Sequence, residues 1–320
     1  MFDRFLYDNL ILSYHRIVDN KNQINSEINS ISVTTETFEG QIKLLKKKFN
    51  IVSIDEILKI DNRFENNLAI TFDDGYKDNL THAVPILEKY NVPATIYITT
   101  RFLENKLDMW WYEIEKIIWQ KDKLDFYFLD KKYYFDIKEE NNKKNCYKKL
   151  SLLFKSLSYL DQNKLLEQIT KTKERIQFRD KILNKSDLIQ LDQKKNITIG
   201  SHTHTHANLA ILNDYECKKE LLLSKQILEN ILNKKIAHFA FPYGSKKDAG
   251  FREANLVRDA GYQSAVTTQS GGKINSNLYL IPRVHIGENH DGWKLLIKLT
   301  WLYKIYYYIR FNFFNTKIFF

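Results

Sequence analysis

Two short stretches hold the residue types that could do chemistry: Thr71-Phe72-Asp73-Asp74-Gly75-Tyr76 and Ser201-His202-Thr203-His204-Thr205-His206. His202 and His206 stand four residues apart, and from a helix turn or a tight loop that spacing can aim two imidazoles at one point. Imidazole nitrogens and a carboxylate oxygen suit Zn2+ and neighbouring divalent metals, and two histidines with one carboxylate leave positions open for water and substrate. Asp73 and Asp74 end an apolar run and precede Gly75, which permits a sharp turn. Adjacent side chains on extended backbone diverge, so one carboxylate can bind a metal while the other stays free as a base. Held close, the pair would also push one proton affinity upward. Each stretch has a plainer reading, because Asp-Asp-Gly can cap a helix and three histidines can be solvated residues of a polar loop. Their joint occurrence at the ends of two apolar runs favours a mononuclear metal site beside a free carboxylate.

Residues so far apart need a scaffold that brings strand ends together. Short apolar runs rich in β-branched residues read as buried parallel strands at Leu10–Tyr14, Leu68–Phe72, Ala94–Ile98, Ile197–Gly200, Ile236–Phe241, Ser264–Thr267 and Tyr279–Ile281. Helical periodicity lies between them, at Thr37–Lys48, His82–Tyr90, Asp214–Asn233 and Gly250–Ala260. This alternation predicts an α/β fold with a mostly parallel sheet or barrel. From about Asn105 to Gln193 the rhythm breaks, and helical spacing at Trp111, Ile114, Ile117 and Ile118, then at Leu150, Leu153, Phe154 and Leu157, predicts a mainly helical insertion. Its interior, Lys121 to Lys149, reads as a small hairpin or a flap. An elaborated single domain over 1–292, followed by an aromatic and basic segment over 293–320, accounts for the chain better than two domains.

Hydrophobic residues make up 43% of the 320 residues and charged residues 28%, which describes a folded globular chain and excludes a disordered one. The net charge of +10 favours anionic partners. The lysines are dispersed, however, and no nucleic-acid reader motif is present, so nucleic acid is not an expected partner. Ser270-Gly271-Gly272-Lys273 lacks the upstream glycine of a phosphate-cradling loop. Cys146 and Cys217 have no metal-ligand spacing and read as packing residues of a reduced compartment. The first residues lack the order of a secretory signal, and the expectation is a cytoplasmic protein. Residues 293–320 are dense in aromatics, but Lys294, Lys298, Lys304, Arg310 and Lys317 interrupt them too often for a membrane span. They suit either peripheral contact with an anionic bilayer or a terminal helix packed on the barrel or on a partner.

Several motifs together resemble the polysaccharide deacetylase family, built on the NodB homology domain of the family 4 carbohydrate esterases. Thr71-Phe72-Asp73-Asp74-Gly75-Tyr76 is similar to its first motif, His202 to His206 to its second, and Phe239-Ala240-Phe241-Pro242-Tyr243-Gly244 to its third. Ser13-Tyr14-His15-Arg16-Ile17 is also similar to the start of many members. The matches run in the expected order from Leu10 to about Ile286, with the insertion outside the core pattern. The resemblance implies a distorted (β/α) barrel of about seven parallel strands. It implies Asp73 as general base, and Asp74, His202 and His206 as ligands of a divalent metal, Zn2+ first among them. The backbone N–H of Tyr243 would stabilise an oxyanion, and His285 would be the general acid for the leaving amine.

Where many members carry an arginine that orients the base, this chain has Ala240. Arg283, on a later strand, is the candidate to reach in instead. His204 would point away from the ligands, and His15 either lines the pocket or is structural. The implied activity is hydrolysis of an N-acetyl group from an amino sugar, either in a polysaccharide or in a lipid- or nucleotide-linked precursor met at the inner membrane face. The alternative is a catalytically impaired carbohydrate-binding or scaffold protein on the same fold, for which Ala240 is the first sign.

Overall fold

The computed structural model describes residues 9–19, 31–59, 66–104, 109–174, 181–269 and 277–300. The chain opens with β1 (Asn9–Tyr14), β2 (Arg16–Val18), β3 (Ser32–Thr34) and α1 (Thr35–Lys48). It continues through β4 (Asn50–Ile51), α2 (Ile54–Ile57), β5 (Asn67–Phe72), α3 (Val84–Lys89) and β6 (Ala94–Ile98). Then come α4 (Trp110–Gln120), a hairpin of β7 (Lys123–Phe128) and β8 (Lys131–Asp136), α5 (Glu140–Lys155) and α6 (Tyr159–Thr170). The remaining elements are α7 (Lys185–Asp192), β9 (Ile197–Ser201), α8 (Asp214–Leu232), β10 (His238–Ala240), α9 (Phe251–Asp259), β11 (Ser264–Val266), β12 (Val284–His285) and α10 (Gly292–Lys298).

Seven parallel strands in the order β11-β10-β9-β6-β5-β1-β12 form a curled half-barrel, with β4 pairing on β5. β1, β5 and β6 are buried along their whole length, which is why they read as continuous apolar runs without alternation. The main core lies between these strands and α1, α3, α7, α8 and α9, and includes Leu12, Phe38, Phe72, Ile96, Leu188, Leu221, Leu228 and Val257. Because all seven strands run the same way, their carboxyl ends meet on one face. Asp73, His202 and Phe241 each follow directly on one of those ends.

The last strand lies later than the sequence pattern suggests. Tyr279–Ile281 forms no strand: Ile281 makes a single parallel bridge to Val266, and the strand proper is β12, on β1. Pro282 supplies the reason, since it has no N–H to continue a ladder. The segment 281–286 therefore spans from β11 to β1. Ile281 N–H donates to Ala265 O at 3.0 Å, Thr267 N–H to Ile281 O at 2.8 Å, and Ile286 N–H to Ser13 O at 3.0 Å. The helix expected from His82 likewise begins as a π-helical turn, Asn79–Ala83, that runs into α3.

The insertion has its own core. Trp110, Trp111, Ile114, Leu124, Phe126, Phe128, Leu150, Phe154, Leu165 and Leu166 pack together, with Trp110 stacked on Phe154 at 4.8 Å between ring centroids. One face of the β7–β8 ribbon is covered by it, so Leu124, Phe126 and Phe128 are buried and the residues between them are exposed. α7 falls in the range first assigned to the insertion, yet Leu188 and Leu191 join the barrel core. Leu295 and Leu299, in and just after α10, pack on that same core. The aromatic stretch over 301–320 lies outside the described residues, and no helix among the described residues is long and apolar enough to cross a membrane.

Candidate active site

Asp73 leaves β5 buried, its N–H donating to Tyr14 O at 3.0 Å. Its carboxylate meets Arg283 in a bidentate pair: Nη1 donates to Oδ1 at 2.7 Å and Nη2 to Oδ2 at 2.6 Å. Arg283 is itself fixed, with Nη1 also donating to Thr71 Oγ1 at 2.9 Å and Nε to Thr267 O at 3.0 Å. It is 1% exposed, among the largest fully buried side chains of the protein. The guanidinium thus arrives from the barrel-closing segment, and Ala240 is packed among Ile11, Tyr97, Val266 and Ile281. Burial alone would raise the Asp73 pKa, but the Arg283 charge and hydrogen bonds outweigh it and hold the carboxyl below its usual value.

Asp74 does not continue the extended backbone. Its φ is +75°, followed by +83° at Gly75, and this left-handed turn rotates the second carboxylate away from the first. The divergence thus comes from a turn and not from strand alternation. Asp74 also caps no helix; its Oδ1 lies 3.3 Å from His202 Nε2 and 3.2 Å from His206 Nε2. Ligand atoms of the three residues lie within 4.8 Å of one another.

The imidazole arrangement indicates what belongs between them. His202 Nδ1 is 2.8 Å from Ala240 O. A carbonyl oxygen only accepts, so Nδ1 carries a hydrogen, and in the neutral tautomer of that kind Nε2 presents its lone pair to Asp74. A lone pair facing a carboxylate oxygen is repulsive unless a proton or a metal cation lies between. Burial lowers the His206 pKa against the pull of Asp74, which favours the neutral ring. Asp74 Oδ1 is buried and has no hydrogen-bond partner of acceptable geometry. An orphaned carboxylate oxygen facing two imidazole nitrogens fits a divalent cation.

The surrounding wall comes from three regions. The His206 ring lies 5.3 Å from Trp111 of the insertion and 4.9 Å from Tyr243, the latter edge-on at 81°. Tyr243 has φ +62° and Gly244 φ +60°, and a Cβ at Gly244 would meet Thr268 N at 2.7 Å, so the exit from β10 is a shaped turn. His15 Nε2 stands 4.0 Å from Asp73 Oδ2, and its ring is 5.6 Å from that of half-buried His285. His204 turns aside and its Nδ1 contacts Thr100 Oγ1 at 2.9 Å.

The sequence already offers Arg283 as the partner of Asp73, but it gives no sign of the contacts of Arg16 and Tyr112. Buried Arg16 donates from Nε to Asp78 Oδ2 at 2.8 Å and from Nη1 to the Tyr112 hydroxyl at 3.1 Å, tying α4 to the barrel. Trp111 shows in the sequence only as part of a helical spacing, and Tyr112 carries no signal there. Their adjacency to the Asp-Asp turn depends on how the insertion folds back.

This fold and site define a class: an α/β barrel with an Asp-His-His constellation and a second, separately anchored carboxylate at the strand ends. The chain belongs to the polysaccharide deacetylase family, whose sequence model matches residues 61–125 and 172–265. The family comprises hydrolases that act on the carbon–nitrogen bond of N-acetylated sugars. The chain is 23% identical over 288 residues to the Bacillus subtilis protein YxkH, named for the same family, covering 88% of this chain and 72% of that one. It is 36% identical over 104 residues to poly-beta-1,6-N-acetyl-D-glucosamine N-deacetylase of Staphylococcus aureus (strain MSSA476), over 28% of this chain. That match spans only 36% of the staphylococcal protein's length. In fold it is similar to the Streptococcus pyogenes deacetylase PplD in complex with acetate, with a TM-score of 0.60, 18% identity, and coverage of 92% of this chain and 99% of that one.

Proposed function

We propose that this protein is a metal-dependent hydrolase that removes the N-acetyl group from an amino sugar of a polysaccharide or of a carrier-linked glycan precursor. The observation that carries the reading is the separation of two neighbouring carboxylates, Asp74 facing His202 and His206, and Asp73 clamped by Arg283. Asp74, His202 and His206 would hold the metal, for which Zn2+ suits the donors. Bound there, the metal would polarise the acetyl carbonyl and acidify water.

The chain's own residues do the rest. Asp73 accepts the proton of the attacking water, and Arg283 keeps its carboxylate ionised and oriented. The Tyr243 N–H, on the shaped turn after β10, faces charge developing on the carbonyl oxygen. His285, beside His15, delivers a proton to the leaving amine. The scaffold alternative took its support from Ala240, and Arg283 removes that ground by supplying a guanidinium to Asp73 from elsewhere. In the test, Zn2+-loaded protein is expected to release acetate from an N-acetylated amino-sugar oligomer, with loss on chelation and at least a hundredfold loss in Asp73→Asn. Metal-loaded protein inert towards both polymeric and carrier-linked N-acetyl sugars would refute the reading.

A precursor at the inner face of the membrane is the substrate we favour, because net positive charge and the aromatic, basic segment over 293–320 suit an anionic bilayer and a pyrophosphate carrier. Deleting Tyr303 to Phe320 should then lower recovery with vesicles containing anionic lipid while sparing turnover of a soluble substrate. Equal recovery of both forms would count against it.

A further inference from the structure

The loop that carries both histidines has a backbone that it would not hold unaided. Thr203 and His206 have φ of +63° and +57°, in the left-handed region that residues with a Cβ adopt when surroundings impose it. Two sets of contacts surround this loop. On one side its carbonyls accept from the chain after β6: Thr100 N–H donates to Thr203 O at 3.2 Å and Arg101 N–H to His204 O at 2.9 Å. On the other side, the N–H groups of His204 and Thr205 both donate to a single atom, Glu220 Oε2, each at 2.9 Å. The Thr205 hydroxyl donates to Glu220 Oε1 at 2.9 Å.

Glu220 belongs to α8, which is firmly anchored. Asn213 and Glu216 close a capping box at its start, and Cys217, Leu221 and Leu228 are buried in the barrel core. Its carboxylate therefore acts as a fixed acceptor. Hydrogen bonds to an ionised acceptor are the stronger kind, and two on consecutive peptides fix both planes at once. Those planes join His202 to His206. Without Glu220, two consecutive N–H groups would lose their acceptor, and the turn that folds His206 back towards His202 and Asp74 would lose its brace.

We infer that Glu220 is a positioning residue for the metal centre: it sets the conformation of residues 203–206, and through it the distance between the two imidazoles. The inference rests on the metal-dependent reading above. It concerns metal affinity, however, which can be measured without turnover.

The test is competition for Zn2+ between a chromogenic chelator and the wild type, Glu220→Ala, Glu220→Gln and Leu222→Ala, an exposed control on the same helix. Melting of each metal-free protein is followed in parallel. Glu220→Ala is expected to weaken Zn2+ binding by about tenfold or more, the range typical of groups that orient metal ligands. Glu220→Gln, which keeps one acceptor oxygen, should recover part of it, and Leu222→Ala should match the wild type. Zn2+ affinity of Glu220→Ala within about twofold of wild type would overturn the inference, even if its metal-free melting temperature falls, because Glu220 would then be a brace for the fold alone. A wild type that binds no Zn2+ would bring down the metal reading and this inference together. A wild type that binds Zn2+ but releases no acetate would bring down the activity alone, with the affinity series still deciding the role of Glu220.

Discussion

A guanidinium with four of its five N–H donors engaged inside a barrel is a rigid object, and Arg283 lends that rigidity to Asp73. The pair is bidentate, so its geometry depends on the planar fork and not on charge alone. Arg283→Ala would leave Asp73 buried and uncompensated. We expect a loss of about 3–5 kcal/mol in denaturant unfolding, together with loss of acetate release. Arg283→Lys should restore some stability and little activity, since one ammonium cannot align both carboxylate oxygens. Ala240→Arg is no remedy, because Ala240 is fully buried beside Ile11 and Tyr97 and a second guanidinium has no space there. Residue types alone can mislead in the other direction. His238 lies 2.8 Å from Ser264 Oγ and 3.1 Å from Asp55 Oδ1, the composition of a nucleophilic triad. Ser264 is nevertheless completely buried, at the amino end of β11, away from the face where the strands end, so no substrate reaches it.

Among the elements, α4 connects the two cores. Its Trp110 stacks on Phe154 of α5, while the next residue, Trp111, flanks His206 across the site. The insertion is thereby part of the wall around the candidate metal centre. Phe154→Ala should cost about 3–5 kcal/mol by opening a cavity in the second core. Because α4 would loosen, it should also lower the affinity for an N-acetylated oligosaccharide, measurable by calorimetry on an Asp73→Asn background. A stability loss with unchanged affinity would show that the insertion core and the site are uncoupled. The hairpin reading of the sequence around Lys121 to Lys149 is met by β7 and β8, after which α5 takes over from Glu140. Propensity and alternation were sufficient there because one face of the ribbon is buried and the other is wet.

At the scale of the whole molecule, stability depends on how the terminal elements close on the barrel, and α10 does so through a titratable contact. His290 Nδ1 accepts the Gly287 N–H at 2.9 Å, and its Nε2 lies 2.9 Å from Lys298 Nζ. Burial, and then the Lys298 charge, lower the His290 pKa to about 4. With the folded value below the unfolded one, about 6.5, the unfolded chain binds the extra proton between those two pH values, so stability falls as pH drops from 6.5 towards 4. The effect amounts to about 3 kcal/mol at most. In His290→Asn, whose side-chain oxygen can still accept the Gly287 N–H, the unfolding free energy should depend less on pH over that window; equal slopes would refute the assignment.

By itself, the sequence determined what is local. Runs such as Leu68–Phe72 could only be buried strands, Gly75 could only mark a turn, and two histidines four residues apart could meet at one point. Those facts follow from backbone period and side-chain chemistry within a few residues. Tertiary structure decided how distant side chains converge: Arg283 was already the candidate partner of Asp73, but its route and bidentate geometry come from packing. The left-handed turn at Asp74 parted the two carboxylates, and Pro282 displaced the last strand so that the 281–286 segment closed the barrel and aimed Arg283 at Asp73. Folding the insertion back set Trp111 against His206, and α8 brought Glu220 to the histidine loop. Nothing in the local pattern of Trp111 or Glu220 encodes these meetings, because each depends on how separate elements pack together.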